Sequence, residues 1–279
     1  MIKVDRSCVP EPEVLRLDNC KADGEKNRAI KHFECNGPGP VTFNLYREAK
    51  PALEELFNKK CAYCESKAKA VASFHVEHWR PKRKVKENLI HKGYYWLASE
   101  WENLFLSCPT CNSTTYKGNR FPLKNGSRYA NNSNDQIETI EKPLLLNPCL
   151  DNPEKHLHYK RNGFIKGLTV EGRMSIEVYG LFRSDLIGQR MACADMVFRN
   201  LHTIEECIEE WEELLGLGIS PSSITMRNNR KRIKEQVKLL KASIGPKHPY
   251  SAMCKFLIKE YRQKRINDSV FIEITKSLE

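Results

Sequence analysis

The chain has 279 residues, of which 40% are apolar and 29% charged, with a formal net charge of +11 and a pI of about 9.1. That composition fits a folded, water-compatible protein with material for one large or two modest cores, and the absence of any run of about 18 apolar residues excludes a helical membrane span. The cation excess favours polyanionic partners, nucleic acid first among them, with a basic but inert surface as the bland alternative.

Eleven cysteines, an odd number, and an N-terminus Met1-Ile2-Lys3-Val4-Asp5-Arg6 without an apolar signal core argue against a disulfide framework and for a cytoplasmic setting. Residues 1–40, punctuated by Pro10, Pro12, Gly37, Pro38, Gly39 and Pro40, read as an extension with little regular structure. Residues 44–58 carry Leu53, Leu56 and Phe57 at helical spacing, with Pro51 suited to the first turn. Alternation over 71–79 predicts a strand, Arg80 to Lys92 a basic loop or short helix, and Leu104-Phe105-Leu106 a second strand. A short helix is expected from Asn112 to near Lys117-Gly118. Residues 122–155 read as a long connection rich in Asn, Ser, Pro and Gly, and 156–180 as a small hairpin turning at Asn162-Gly163. From 181 to 264 the pattern is mostly helical, with amphipathic stretches Ile204–Leu215, Arg227–Leu240 and Ala252–Tyr261.

Two cysteine pairs stand out, Cys61-Ala62-Tyr63-Cys64 and Cys108-Pro109-Thr110-Cys111, separated by 43 residues. Each such turn presents two thiolates to one metal, and two turns complete a closed tetrahedral zinc shell, structural rather than reactive. The remaining seven cysteines have no ligand spacing and read as reduced or incidental. Between the pairs lies His75-Val76-Glu77-His78-Trp79-Arg80-Pro81-Lys82. Phosphodiester hydrolysis needs an activated water and a divalent cation at the scissile phosphate. His78 is the candidate general base, Glu77 a hard oxygen ligand, Asn112 an amide-oxygen ligand, and Asn103 a support for the loop that aims His78. Arg80, Lys82, Arg83, Lys84 and Lys86 are candidate phosphate contacts, and Lys117 joins them. His75 shares a strand face with Glu77 and is read either as a residue at the metal or as a surface histidine. The tryptophans at 79, 96 and 101 read as core anchors before base-stacking platforms.

The pattern Cys-x-x-Cys, Glu-His, Asn-Leu-x-x-x-Cys-x-x-Cys-Asn and Lys-Gly resembles the HNH endonuclease family. Asn112 stands where the family name carries a histidine, a change that lowers the expectation of a transition metal there. Residues 75–82, Trp101-Glu102-Asn103-Leu104, 117–123, Leu144-Leu145-Leu146-Asn147-Pro148 and 175–181 resemble the PtuB-like subfamily, nucleases of Septu and retron anti-phage systems. The likeness covers roughly residues 60–190. It implies an α+β chain: a ββα-metal core with a structural zinc on four cysteines, Cys61, Cys64, Cys108 and Cys111, embedded in mostly helical surroundings. It implies Mg2+ or Mn2+ at Glu77 and Asn112, water activation by His78 and support by Asn103. The expected partners are DNA or tRNA, a PtuA-like ATPase and, in a retron setting, a reverse transcriptase with its RNA–DNA hybrid. The resulting division is 1–58 as N-terminal extension and helix, 59–125 as nuclease core, and 126–279 as a partner-binding helical region. The alternative is a non-catalytic zinc-stabilised nucleic-acid-binding or assembly subunit.

Overall fold

Between the two cysteine pairs the chain forms two strands, β1 (His75–His78) and β2 (Leu104–Ser107). They pair antiparallel, with His75 opposite Ser107, Val76 opposite Leu106, Glu77 opposite Phe105 and His78 opposite Leu104. β2 is buried at all four positions, as its apolar run requires. β1 is graded: His75 exposed, Val76 half-buried, Glu77 and His78 buried. The structure, a computed structural model, describes residues 1–16, 18–36, 41–67 and 72–278. Val71, at the start of the expected strand, and Gly37, Pro38, Gly39 and Pro40 lie outside the described residues.

The N-terminal extension holds more regular structure than its punctuation predicts. Helix α1 (Cys20–Glu34) starts on Asn19, whose Oδ1 accepts the Lys21 N–H at 3.0 Å, a cap that fixes the first turn. The buried Glu25 on α1 accepts the Asn44 N–H at 3.0 Å and the Ser99 hydroxyl at 2.8 Å. Arg6 donates to the carbonyls of Trp101 at 2.7 Å and Leu104 at 3.0 Å. Its guanidinium carbon lies 4.9 Å from each of the Trp101 and Phe105 ring centres, a cation–π clamp at the start of β2. Helix α2 (Lys50–Leu56) carries Pro51 in its first turn and buries Leu53 and Leu56, as the spacing predicts.

The helix expected from Asn112 to Gly118 is replaced by consecutive turns. The amides of Asn112, Ser113 and Tyr116 bond back to Cys108, Thr110 and Ser113, and Lys117 N–H reaches Cys111. Ser113-Thr114-Thr115 is a poor helix-forming run, because short hydroxyl side chains compete for backbone groups. The α+β class holds; at 112–118 the chain has turns instead of the expected helix. The connection 122–155 contains the short α3 (Ile137–Ile140), a 3-10 turn at Pro153–Lys155 and an isolated antiparallel bridge between Leu123 and Pro143. Strands β3 (Leu157–Tyr159) and β4 (Ile165–Gly167) form the expected hairpin. Gly163 sits in its turn at φ 80°, where a Cβ would meet the Ile187 carbonyl.

Helix α4 (Val170–Val178) leads to Tyr179, a buried hub. The Tyr179 hydroxyl accepts the Trp79 indole N–H at 3.1 Å and donates to the Leu146 carbonyl at 2.9 Å. Its ring stacks on Tyr63 at 3.9 Å, and Tyr63 faces Phe105 of β2. The chain forms two compact units, Met1–Leu157 with Lys166–Phe182, and His158–Ile165 with the chain from Arg183 onward. The second unit contains α5 (Ser184–Gly216), α6 (Ile224–Ile244), α7 (Ser251–Lys264) and α8 (Ser269–Thr275). The three amphipathic stretches read from sequence lie inside α5, α6 and α7. Leu186, Arg190, Ala194, Val197, Leu201, Ile204 and Ile208 form the buried stripe of α5, spaced by threes and fours. No helix among the described residues is long and apolar enough to cross a membrane.

Tyr179→Phe would leave the buried Trp79 N–H without its acceptor. It should lower stability by roughly 1–3 kcal/mol, read as a lower urea midpoint at unchanged m-value; an unmoved midpoint would refute the hub.

Candidate active site

The four knuckle sulfurs lie within 4.8 Å of one another, and Cys64 Sγ is 3.8 Å from Cys108 Sγ. A tetrahedral four-sulfur site with Zn–S of about 2.3 Å has sulfur–sulfur edges of about 3.8 Å, so the donor set fits Zn2+. The Cys111 N–H donates to Cys108 Sγ at 3.4 Å. The first knuckle is tied to β2 by the Ala62 N–H on the Leu106 carbonyl at 2.8 Å. Both knuckles therefore hang from the strand that pairs with His75–His78.

His78 is buried at the end of β1. Its Nε2 lies 2.8 Å from the Ala98 carbonyl, which can only accept, so Nε2 carries the hydrogen. The lone pair then resides on Nδ1, 3.2 Å from Lys82 Nζ. The Tyr46 ring stands edge-on at 4.6 Å. Burial, reinforced by the charges of Lys82 and Lys117, holds the imidazole pKa well below its ordinary 6.5. His78 is thus a neutral imidazole whose Nδ1 meets Lys82, both residues lining a cleft of about 680 Å³.

Glu77 is buried beside it, with Oε1 3.4 Å from Lys117 Nζ and no well-formed hydrogen bond on that oxygen. Burial raises the carboxyl pKa and lowers that of Lys117, each partly offset by the other's charge. Asn112 lines the same cleft and lies 3.2 Å, through Nδ2, from His75 Nδ1. With the amide nitrogen directed at His75, the amide oxygen is the atom left to face a cation. Asn103 accepts the Arg80 N–H at 2.8 Å and donates to the carbonyls of Arg80 at 3.0 Å and Leu97 at 3.1 Å. It thereby joins the turn after β1 to the segment that supplies the Ala98 carbonyl.

The basic candidates divide. Lys82 and Arg83 line the cleft, and Lys84 and Lys86 are exposed. Arg80 is turned inward: its Nε pairs with the buried Glu141 at 2.9 Å and its guanidinium lies over Trp79. Lys117 is fully buried, within 3.4 Å of the His78 carbonyl as well as of Glu77. Both cations are engaged by buried carboxylates, Glu141 and Glu77, a distinction that charge in a sequence does not carry. Tyr46, Arg47 and Lys50 also line the cleft. They come from a segment outside the motif, and no spacing rule pointed to them. Lys82 lies 4.1 Å from the Tyr46 ring centre. Burial opposes ionisation of the Tyr46 phenol, but Arg47 and Lys82 outweigh it and lower its pKa.

Cys111→Ser should release one zinc per chain by elemental analysis and abolish the cooperative thermal transition, since structural zinc sites carry folding free energy on the order of 10 kcal/mol. Retention of zinc and of the transition would refute a structural metal at this position.

A family model described as HNH endonuclease matches residues 61–118, the stretch from the first knuckle to Gly118. The chain is similar to Septu protein PtuB of Bacillus mycoides (strain KBAB4), 32% identical over 288 residues, which covers 95% of this chain and 92% of that one. It is similar to Septu protein PtuB of Bacillus thuringiensis, 28% identical over 162 residues, 57% of this chain and 50% of that one. It also resembles a stretch of Septu protein PtuA of Bacillus mycoides (strain KBAB4), 30% identical over 142 residues, 50% of this chain but 20% of that one. No solved structure matches. The near end-to-end relationship, with an HNH endonuclease domain lying over the two knuckles and the Glu77-His78 strand, shows that the chain belongs to the PtuB family of Septu proteins.

Proposed function

We propose that the chain is a metal-dependent HNH endonuclease, with a ββα-metal type of site in residues 59–125. The observation that carries this reading is the neutral, buried His78, its Nε2–H held by Ala98 and its Nδ1 facing the cleft beside the incompletely satisfied carboxylate of Glu77. Glu77 and Asn112 would hold Mg2+ or Mn2+, hard ions that accept one or two protein oxygens and take the rest of their shell from water and phosphate. The cation, when bound, stabilises charge on the scissile phosphate and on the leaving oxygen. His78 Nδ1 takes a proton from the attacking water, whose oxygen bonds to phosphorus in line as the bond to the 3′ oxygen breaks. The 3′ oxygen leaves with a solvent proton, giving 5′-phosphate and 3′-hydroxyl ends. Lys82 moves from Nδ1 to a phosphate oxygen as substrate enters, which frees the base. Asn103 is a positioning residue that fixes the backbone around His78.

The chemistry needs no 2′-hydroxyl, so DNA and tRNA are both substrates in this reading. The setting is cytoplasmic defence against phage, with a PtuA-like ATPase as partner and residues 126–279 as the partner-binding region. The relatives named above are Septu proteins, so a retron reverse transcriptase is not part of the proposal.

His78→Ala should reduce cleavage of plasmid DNA or tRNA by at least about a hundredfold while zinc content and Tm persist. A variant that cleaves like wild type would sink the mechanism, whereas undiminished nucleic-acid binding by a protein that never cleaves, with Mg2+ present, would favour the binding-module reading. Because protonation silences the base and its pKa is held below 6.5, the acid limb of kcat/KM should lie below pH 6.5. In Lys82→Ala the limb should move upward; an acid limb above pH 7 in wild type would contradict the buried-base assignment.

A further inference from the structure

Between β1 and Tyr94 the chain makes a closed loop whose neck is at Arg83 and Gly93. Gly93 adopts φ 93°, and a Cβ there would lie 2.4 Å from the Arg83 carbonyl carbon, so the two ends of the loop touch. The loop is braced from within. Val85 and His91 are buried, and His91 Nε2 lies 2.6 Å from the Ala130 carbonyl. Glu87 accepts the Phe121 N–H at 2.8 Å, and the Lys86 N–H reaches the Asn119 carbonyl at 3.0 Å.

At the far end, the His91 N–H bonds to the Asn88 carbonyl at 3.0 Å, closing a turn whose two central residues are Leu89 and Ile90. Central turn positions ordinarily take Gly, Asn, Asp, Pro or Ser, and a β-branched residue is poorly suited to them. Here both are large and apolar, 68% and 91% exposed. The local rule is broken on a rigid base, without any gain in the core, which is the pattern of a functional site. The surroundings say what the apex meets. Lys84 and Lys86 are exposed on the same loop, its one carboxylate, Glu87, is engaged with Phe121 and Arg120, and Arg83 at the neck lines the cleft beside His78. An apolar tip on a loop that exposes Lys84 and Lys86 and carries Arg83 to the cleft at its neck complements stacked bases inside a phosphate backbone.

We infer that Leu89 and Ile90 form a wedge that inserts between stacked bases and unstacks the strand as it enters the cleft. This rests on the nuclease reading above. It gives that reading a further substrate contact: the enzyme engages base-stacked nucleic acid, through a device outside the residues that carry out hydrolysis.

The test uses the full chain with His78→Ala to prevent cutting, and two probes carrying 2-aminopurine at successive positions, a DNA duplex and an RNA hairpin. Binding, followed by anisotropy, should raise 2-aminopurine emission in at least one probe, and the responding probe identifies the nucleic acid. Leu89→Ser with Ile90→Ser should abolish the rise and weaken Kd about tenfold, the scale of losing the wedge's share of base contacts, at unchanged Tm. Leu89→Met with Ile90→Met should retain both. Binding without an emission rise, or an equal rise and Kd in the serine variant, overturns the wedge and leaves the nuclease reading intact; the second result would mark the tip as a contact for a protein. Failure of the His78→Ala protein to bind either probe overturns both.

Discussion

The antiparallel register between His75–His78 and Leu104–Ser107 is the constraint on which the site depends. A strand has a side-chain period of two, so a slip of one residue would exchange the faces of Glu77 and His78. The first knuckle is tied to Leu106 of the second strand through Ala62, and the second knuckle begins one residue after that strand ends. The Arg6 clamp lies at the same strand's start. Cysteine frame, N-terminal segment and candidate base are therefore referenced to one short, fully buried strand, which concentrates the precision of the site in four residues.

Around that ladder the electrostatics are arranged from below as well as from the surface. Lys117 and Glu77 form a buried pair, and Lys82 sits at Nδ1 of His78. Desolvation drives each of these groups toward its neutral form; the mutual charges of Glu77 and Lys117 partly oppose it, whereas the two lysines reinforce it at His78. A buried pair of this kind contributes little net stability compared with an apolar replacement. What it does is hold the Glu77 carboxylate in place beside His78, with Lys117 offsetting part of the cost of burying it.

Much of this was legible in the chain. The two cysteine pairs, the alternation over 71–79, within which β1 takes His75–His78, and the apolar run at 104–106 encode the frame through spacing and period alone. Glu77 and His78 were visible because adjacent residues of hard-ligand and base type follow a strand pattern. The helix expected after Asn112 is not encoded: Ser113, Thr114 and Thr115 favour turns. α1 was hidden by the prolines and glycines flanking it, although Asn19 carried the cap. Arg80 and Lys117 could not be told from their surface neighbours, because burial of a cation depends on a partner, Glu141 or Glu77, that sequence distance conceals. Tyr46 escaped for a similar reason, reaching His78 by tertiary folding from outside the motif.

The single hydrogen bond from Asn103 to the Leu97 carbonyl has a reach longer than its length. Leu97 precedes Ala98, whose carbonyl selects which imidazole nitrogen of His78 bears the hydrogen. The tautomer of the base is thus set by the path of a backbone that another side chain holds, not by a charged partner. A carboxylate in the place of Ala98 would favour the imidazolium and keep the ring protonated; a peptide carbonyl fixes the ring without adding negative charge, so the imidazole is oriented and stays neutral.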